Sequence, residues 1–194
     1  MDVIDLYKEA FGSGNYFVRQ SLALSIQEIP RGLKKEYETL LDDKSYQTQE
    51  AAFYHLWINF PQDRISYLEK MKGLAGFSDK NLRILWLALH LATPDYNSED
   101  QDKIYGELSG YTSPVYPFYV RQNAFDYLYQ LNSFNKQNLL DLMEGGQHQV
   151  SRFQNFSRGM IKELLKSKVY RDRFKGIEGE LTNEQKAYLN HLLN

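Results

Sequence analysis

The chain has 194 residues, with 25 acidic against 23 basic side chains and a formal net charge of −2, a balance that disfavours a duplex nucleic-acid binder, whose domain is normally basic. No run approaches the roughly 18 apolar residues that a membrane-spanning helix needs, and nothing at the N-terminus resembles a signal peptide, so no membrane span is expected and the compartment stays open. With no cysteine there is no disulfide, thiolate ligand or thiol nucleophile.

In chain order, residues 2–11 read as a lone helix, the second half of a pair whose first half lies outside the sequence. Val3, Ile4, Leu6, Tyr7 and Phe11 do not give it the polar outer face that a terminal repeat of a free-standing array carries. The expectation is an exposed apolar patch here and a chain that is the tail of a larger protein.

The next segment occurs twice. Tyr16-Phe17-Val18-Arg19-Gln20 opens one apolar run and Phe118-Tyr119-Val120-Arg121-Gln122 opens another. Behind them Val18, Leu22, Ile26 and Ile29 match Val120, Ala124, Leu128 and Leu131 in spacing, and those offsets trace one face of a helix. Such self-similarity marks a repeat architecture. First helices are expected to stop at Ile29-Pro30, Phe60-Pro61 and Thr93-Pro94, because proline cannot continue a helix and disfavours α geometry in the residue before it. The repeat anchors fall near Val18, Thr48, Leu82 and Val120, with a looser fifth around Val150. Arg19, Arg83 and Arg121 follow three of them, and Gln49 takes that place in the second unit.

Second helices are predicted over residues 33–42, 62–72, 98–109 and 136–144. Ser78-Asp79 and Ser98 read as N-caps. Gly73, Gly76, Gly110, Gly145 and Gly146 read as stops, and residues 110–117 form the longest irregular stretch. There is no strand pattern. The repeats lack the tryptophan block of tetratricopeptide units, and a Val-Arg pair with a closing proline fits HEAT-like units better. The expected fold is all-α: one domain over residues 1–194, a curved α-solenoid of four to five antiparallel pairs, with Val18, Leu22, Ile26, Val120, Ala124 and Leu128 buried between layers.

Catalytic signatures are missing. His55, His90 and His191 precede leucine and His148 precedes glutamine, so no His-Glu-x-x-His zinc motif is present, nor a phosphate loop or a nucleophile elbow. The chain reads as no enzyme by itself, holding no cofactor or metal. One stretch departs from neutrality. Residues 151–175 hold eight basic side chains against Glu163 and Asp172. A helical projection places Val150, Phe153, Phe156, Met160, Ile161, Leu164 and Leu165 on one side and Arg152, Arg158, Lys162 and Lys166 on the other. That stripe is either a solvated face or an anion site for a carboxylate, a phosphate or an acidic partner.

Tyr119-Val120-Arg121-Gln122-Asn123-Ala124-Phe125-Asp126-Tyr127-Leu128, followed by Arg152-Phe153-Gln154-Asn155-Phe156-Ser157-Arg158 and Leu164-Leu165, resembles the C-terminal HEAT-like domain of M1-family zinc aminopeptidases, in its Bacteroidetes-type form. Phe17-Val18-Arg19-Gln20-Ser21-Leu22 and Tyr46-Gln47-Thr48-Gln49-Glu50-Ala51-Ala52-Phe53 fit the same domain. The resemblance implies a non-catalytic domain that covers the active site and restricts peptide access. Zinc would sit in a catalytic domain outside this chain, and the partners would be that domain and the peptide substrate. Phe156-Ser157-Arg158 resembles a turn that anchors a substrate carboxylate in one branch of the family. Asn155 stands where a lysine would be and Arg152 lies one residue out of register, so only Arg152 and Arg158 carry over as anion contacts. The runner-up expectation is an independent HEAT-like adaptor that binds another protein. Peptide specificity and oligomeric state are not written in the sequence.

Overall fold

The computed structural model describes residues 3–73, 80–96 and 99–193, and among these it is all-helical, with no strand. The expected caps Ser78-Asp79 and Ser98, the stop at Gly76 and the first residue of the 2–11 helix lie outside the described residues. The chain divides into two compact units, Met1–Gln101 and Asp102–Asn194.

The first unit contains α1 (Val3–Phe11), α2 (Tyr16–Ser25), α3 (Lys34–Glu38), α4 (Tyr46–Asn59), α5 (Arg64–Met71) and α6 (Lys80–Leu91), with short 3-10 turns at Arg31–Leu33, Thr39–Asp42 and Pro61–Asp63. Helix α4 packs between α2 and α6, while α1 lies on α2 and α3, and α5 lies on α4 and α6. The core is Leu33, Tyr37, Ala52, Phe53, Leu56 and Leu68, all essentially inaccessible. Helix α6 is buried at Leu82 and continuously from Ile84 to His90, and Trp86 Nε1 donates to the Leu68 carbonyl at 2.8 Å. A helix enclosed on nearly every face is a core helix rather than an amphipathic one.

Helix α2 is shorter than its apolar pattern suggests. It starts at Asn15, whose side chain accepts from the Phe17 N–H, and it ends at Ser25, with Ile26 already extended. Ile26 and Ile29 are therefore not helical. The reason is competition for backbone groups. The Tyr37 hydroxyl meets the carbonyls of Ala23 (2.8 Å) and Ile26 (3.3 Å), and Asn59 Oδ1 accepts from the Ile29 N–H at 3.0 Å. These side chains occupy groups that a longer helix would use internally. The prolines behave as read at the other two stops: α4 ends at Asn59 before Pro61, and α6 ends at Leu91 before Pro94. The second helix of the first pair is broken, α3 being only five residues between two 3-10 turns.

The second unit contains α7 (Gln101–Gly110), α8 (Phe118–Gln130), α9 (Lys136–Gly145), α10 (Ser151–Leu164), α11 (Lys168–Gly176) and α12 (Asn183–Leu193). Here Val120, Ala124 and Leu128 are buried as expected, whereas their counterparts Val18, Leu22 and Ile26 in the first unit, expected to be buried too, are only half-buried. Helix α8 closes with a Schellman arrangement. Asn132 sits at positive φ, its N–H donates to the Tyr129 carbonyl at 3.0 Å and the Ser133 N–H to that of Leu128 at 2.9 Å, a geometry that asparagine tolerates. Asn135 then caps α9 through a reciprocal box with Asn138.

Gly145 is not a stop between elements but the last residue of α9, and its missing side chain sets the approach of α10. A Cβ there would lie 2.5 Å from Ser157 Oγ and 3.1 Å from Phe153 Cε1. Gly145→Ala should therefore destabilise the protein by about 1–3 kcal/mol through overpacking. Gly159→Ala, at a helical site with nothing within 4 Å, should be neutral or gain about 0.5–1 kcal/mol. Thermal denaturation of both variants checks this. Equal effects would mean that Gly145 does not set the α9–α10 spacing.

Candidate functional site

The basic stretch falls on α10 and α11. Phe153, Ser157, Met160, Ile161 and Leu164 form the buried face of α10, leaving the cations at its margins and on its outer side. Arg152 stands exposed in the first turn. Arg158 is half-buried; its Nε donates to the Gly146 carbonyl at 2.8 Å and its guanidinium lies 5.2 Å from the centre of the Tyr188 ring. The contacts of Arg158 draw it toward α9 and α12, and among the described residues no hydrogen bond or ion pair joins it to Arg152. Lys162 and Lys166 are exposed, and Lys166 pairs with Glu163 on the same helix.

Most of the arginines in this stretch grip main-chain oxygens. Arg171 Nη1 donates to the carbonyls of Leu165 (2.9 Å) and Lys166 (3.3 Å), satisfying the end of α10, where the helix dipole also favours a cation. Arg173 Nη1 donates to the Phe134 carbonyl at 2.8 Å. Arg173 also lines a cavity of about 460 Å³ together with Phe134, Lys136, Leu139 and Ile177. Lys136 is paired there with Glu180 at 2.6 Å.

The segments Tyr119–Leu128 and Arg152–Arg158 form one packed piece. Phe125 of α8 stacks on Phe153 of α10 at 6.4 Å. Arg121 lies over the same Phe153 ring at 4.9 Å. Arg121 is 2% exposed, and it donates through Nε to the Thr112 carbonyl (2.8 Å) and through Nη2 to the Asp141 carbonyl (3.0 Å) and to Glu144. The repeated arginine is thus a structural link rather than a ligand contact. Arg19 has the same office in the first unit, bonding the Ser13 carbonyl and the Asp43 carboxylate. Burial alone would push the Asp43 carboxyl up, but Arg19 and the Ser45 N–H hold it below the usual carboxylate range.

Two titratable groups lie away from the basic stretch. His55 Nδ1 lies 3.0 Å from the Tyr37 hydroxyl, and burial holds its pKa down, so the ring is neutral at pH 7. Asp126 of α8 is half-buried, and burial pushes its pKa up to about 6. The available signal was its place between Phe125 and Tyr127, where apolar and aromatic neighbours surround a lone carboxylate. Among the described residues no group of three or more His, Asp or Glu side chains is placed to hold a metal ion, and no helix is long and apolar enough to cross a membrane.

The raised pKa of Asp126 has a defined sign. Its folded value exceeds the unfolded value of about 3.9, so the cost of burying the charge is full above pH 6 and absent below about pH 4. Asp126→Asn should stabilise the protein on the order of 2 kcal/mol at pH 7 and by nearly nothing at pH 4. Urea denaturation at both values measures it, and a pH-independent difference would contradict the assignment.

No family model, no curated protein and no solved structure matches the chain.

Proposed function

We propose that this chain is a non-catalytic helical-repeat domain of an M1-type zinc aminopeptidase, a curved solenoid of HEAT-like pairs that covers the catalytic domain and restricts which peptides reach it. One observation carries the reading. The ordered blocks Tyr119–Leu128 and Arg152–Arg158, which resemble that domain, lie on α8 and α10 and pack on each other through Phe125, Phe153 and Arg121. In this reading the chain performs no chemistry. It supplies shape and a positive margin, and the zinc belongs to the catalytic domain.

Arg152 is the residue available to a peptide carboxylate, since it is exposed. Arg158 stands behind, with Nε committed to the Gly146 carbonyl. A charge-assisted hydrogen bond to a carboxylate contributes about 1.5–3 kcal/mol. The second reading is an independent HEAT-like adaptor that binds another protein. The exposed apolar side chains of α1 and α2 mark an interaction surface of the kind expected where a further part of a larger protein packs, and so do not favour the adaptor over the accessory domain.

Reconstitution separates the two. The M1 catalytic polypeptide of the same genome, expressed without a helical domain of its own, is mixed with this chain and assayed with short and long peptides. The accessory-domain reading expects a complex in which kcat/KM for long peptides falls about tenfold relative to that for short ones. It also expects Arg152→Ala to raise KM for free-acid peptides about tenfold, equivalent to roughly 1.4 kcal/mol, and to spare amidated ones. If no complex forms and neither peptide class responds, the adaptor reading takes its place.

A further inference from the structure

Helix α2 has one satisfied side and one open side. On the satisfied side Ala23 is fully buried, Arg19 bonds Asp43, and Gln20 bonds Gln47, all in the direction of α4. At 100° per residue, Val18, Ser21, Leu22 and Ser25 project the other way. There, with Tyr7, Phe17 and Ile26, they line a groove of about 430 Å³. Helices α1 and α2 carry apolar side chains in solvent: Phe17 is 60% exposed, Leu24 55%, and Val3, Leu6 and Tyr7 between 36% and 62%.

We propose that this face joins two copies of the chain about a two-fold axis, with the α2 helices antiparallel and Phe17 of each copy seated in the groove of the other. Three observations choose a second copy as the occupant. The knob and the groove lie on the same helix. Phe17 is near its N-terminal end, Leu22 and Ile26 near its C-terminal end, and antiparallel pairing across a two-fold brings each knob to the other's groove. The face is also free of like charge at the axis. Between Tyr16 and Ser25 the only charged residue is Arg19, already held by Asp43, and the polar residues that α2 gives to the groove are two serines, so the two α2 helices meet without repulsion. The area suffices as well. Five or six large side chains left about half exposed present roughly 500–600 Å², so two copies bury on the order of 1,000–1,200 Å², the lower end for a specific interface. This contact is separate from the peptidase reading, since it concerns α1 and α2 and not α8 and α10.

Sedimentation of the full chain from about 1 to 200 µM tests it. The expectation is a reversible monomer–dimer equilibrium with Kd in the micromolar range. Phe17→Asp should weaken it by about 30-fold or more, and Val169→Asp, at an exposed valine of α11, should leave it unchanged. Both sites are exposed, so a preserved melting temperature shows that each variant folds. The absence of native cysteine allows a second measurement. Ser21 lies at the middle of α2, next to the axis, so Ser21→Cys should form a disulfide-linked dimer under mild air oxidation, while Val169→Cys stays monomeric. A chain that is monomeric at 200 µM, or a dimer that persists in Phe17→Asp and does not cross-link through Ser21→Cys, overturns the proposal; binding of this face to a different protein by a monomeric chain would do the same.

Discussion

A guanidinium that is 2% exposed cannot be left to water, and much of the second unit is arranged around that requirement at Arg121. Burying an unpaired charge is among the most unfavourable acts in folding, so the surrounding chain must supply oxygen acceptors. The turn after α7 supplies the Thr112 carbonyl, and α9 supplies the Asp141 carbonyl and the Glu144 carboxylate. Those acceptors are themselves held. Thr112 Oγ1 donates to Asp141 Oδ2 at 2.7 Å, Gln137 donates to Oδ1 at 2.8 Å, and Asn138 Nδ2 donates to Ser109 and Thr112. The result ties α7, α8 and α9 together, with Phe153 of α10 beneath the guanidinium. Fully satisfied buried networks of this kind specify one arrangement of helices rather than many.

The same logic explains why a strongly basic stretch does not produce a concentrated basic site. Arg158, Arg171 and Arg173 each spend hydrogen bonds on carbonyls at helix ends and turns. Their hydrogen bonds complete helix ends and turns. Arg152, in the first turn of α10, is exposed, which is why the functional reading concentrates on it.

Much of the fold was legible, because helical periodicity and proline stops are local signals. Val120, Ala124 and Leu128 are buried where their spacing placed them, and α4 and α6 end before Pro61 and Pro94. What the sequence could not show depended on distant partners. The apolar spacing through Ile26 and Ile29 looked helical, yet Tyr37 and Asn59, 11 and 30 residues further along, take the backbone groups first. Gly145 looked like a stop until Ser157 and Phe153 were seen against it. The repeated arginines were visible as markers at positions 19 and 121, but their acceptors lie in other elements, at Asp43 and Glu144. Spacing alone therefore could not tell a structural link from a ligand contact, and the same limit applied to Arg152 and Arg158.

Native-state hydrogen exchange on Arg121→Ala, beside Arg121→Lys, measures this dependence most directly. Removing one partner from a buried charged network costs about 3–5 kcal/mol. Alanine should therefore lower amide protection throughout α8, α9 and α10 by about that amount, and lysine should recover little, because it lacks the forked geometry that reaches Thr112, Asp141 and Glu144 together. A loss below about 0.5 kcal/mol, within the range of ordinary surface substitutions, or full recovery by lysine, would contradict the claim that the buried arginine organises these helices.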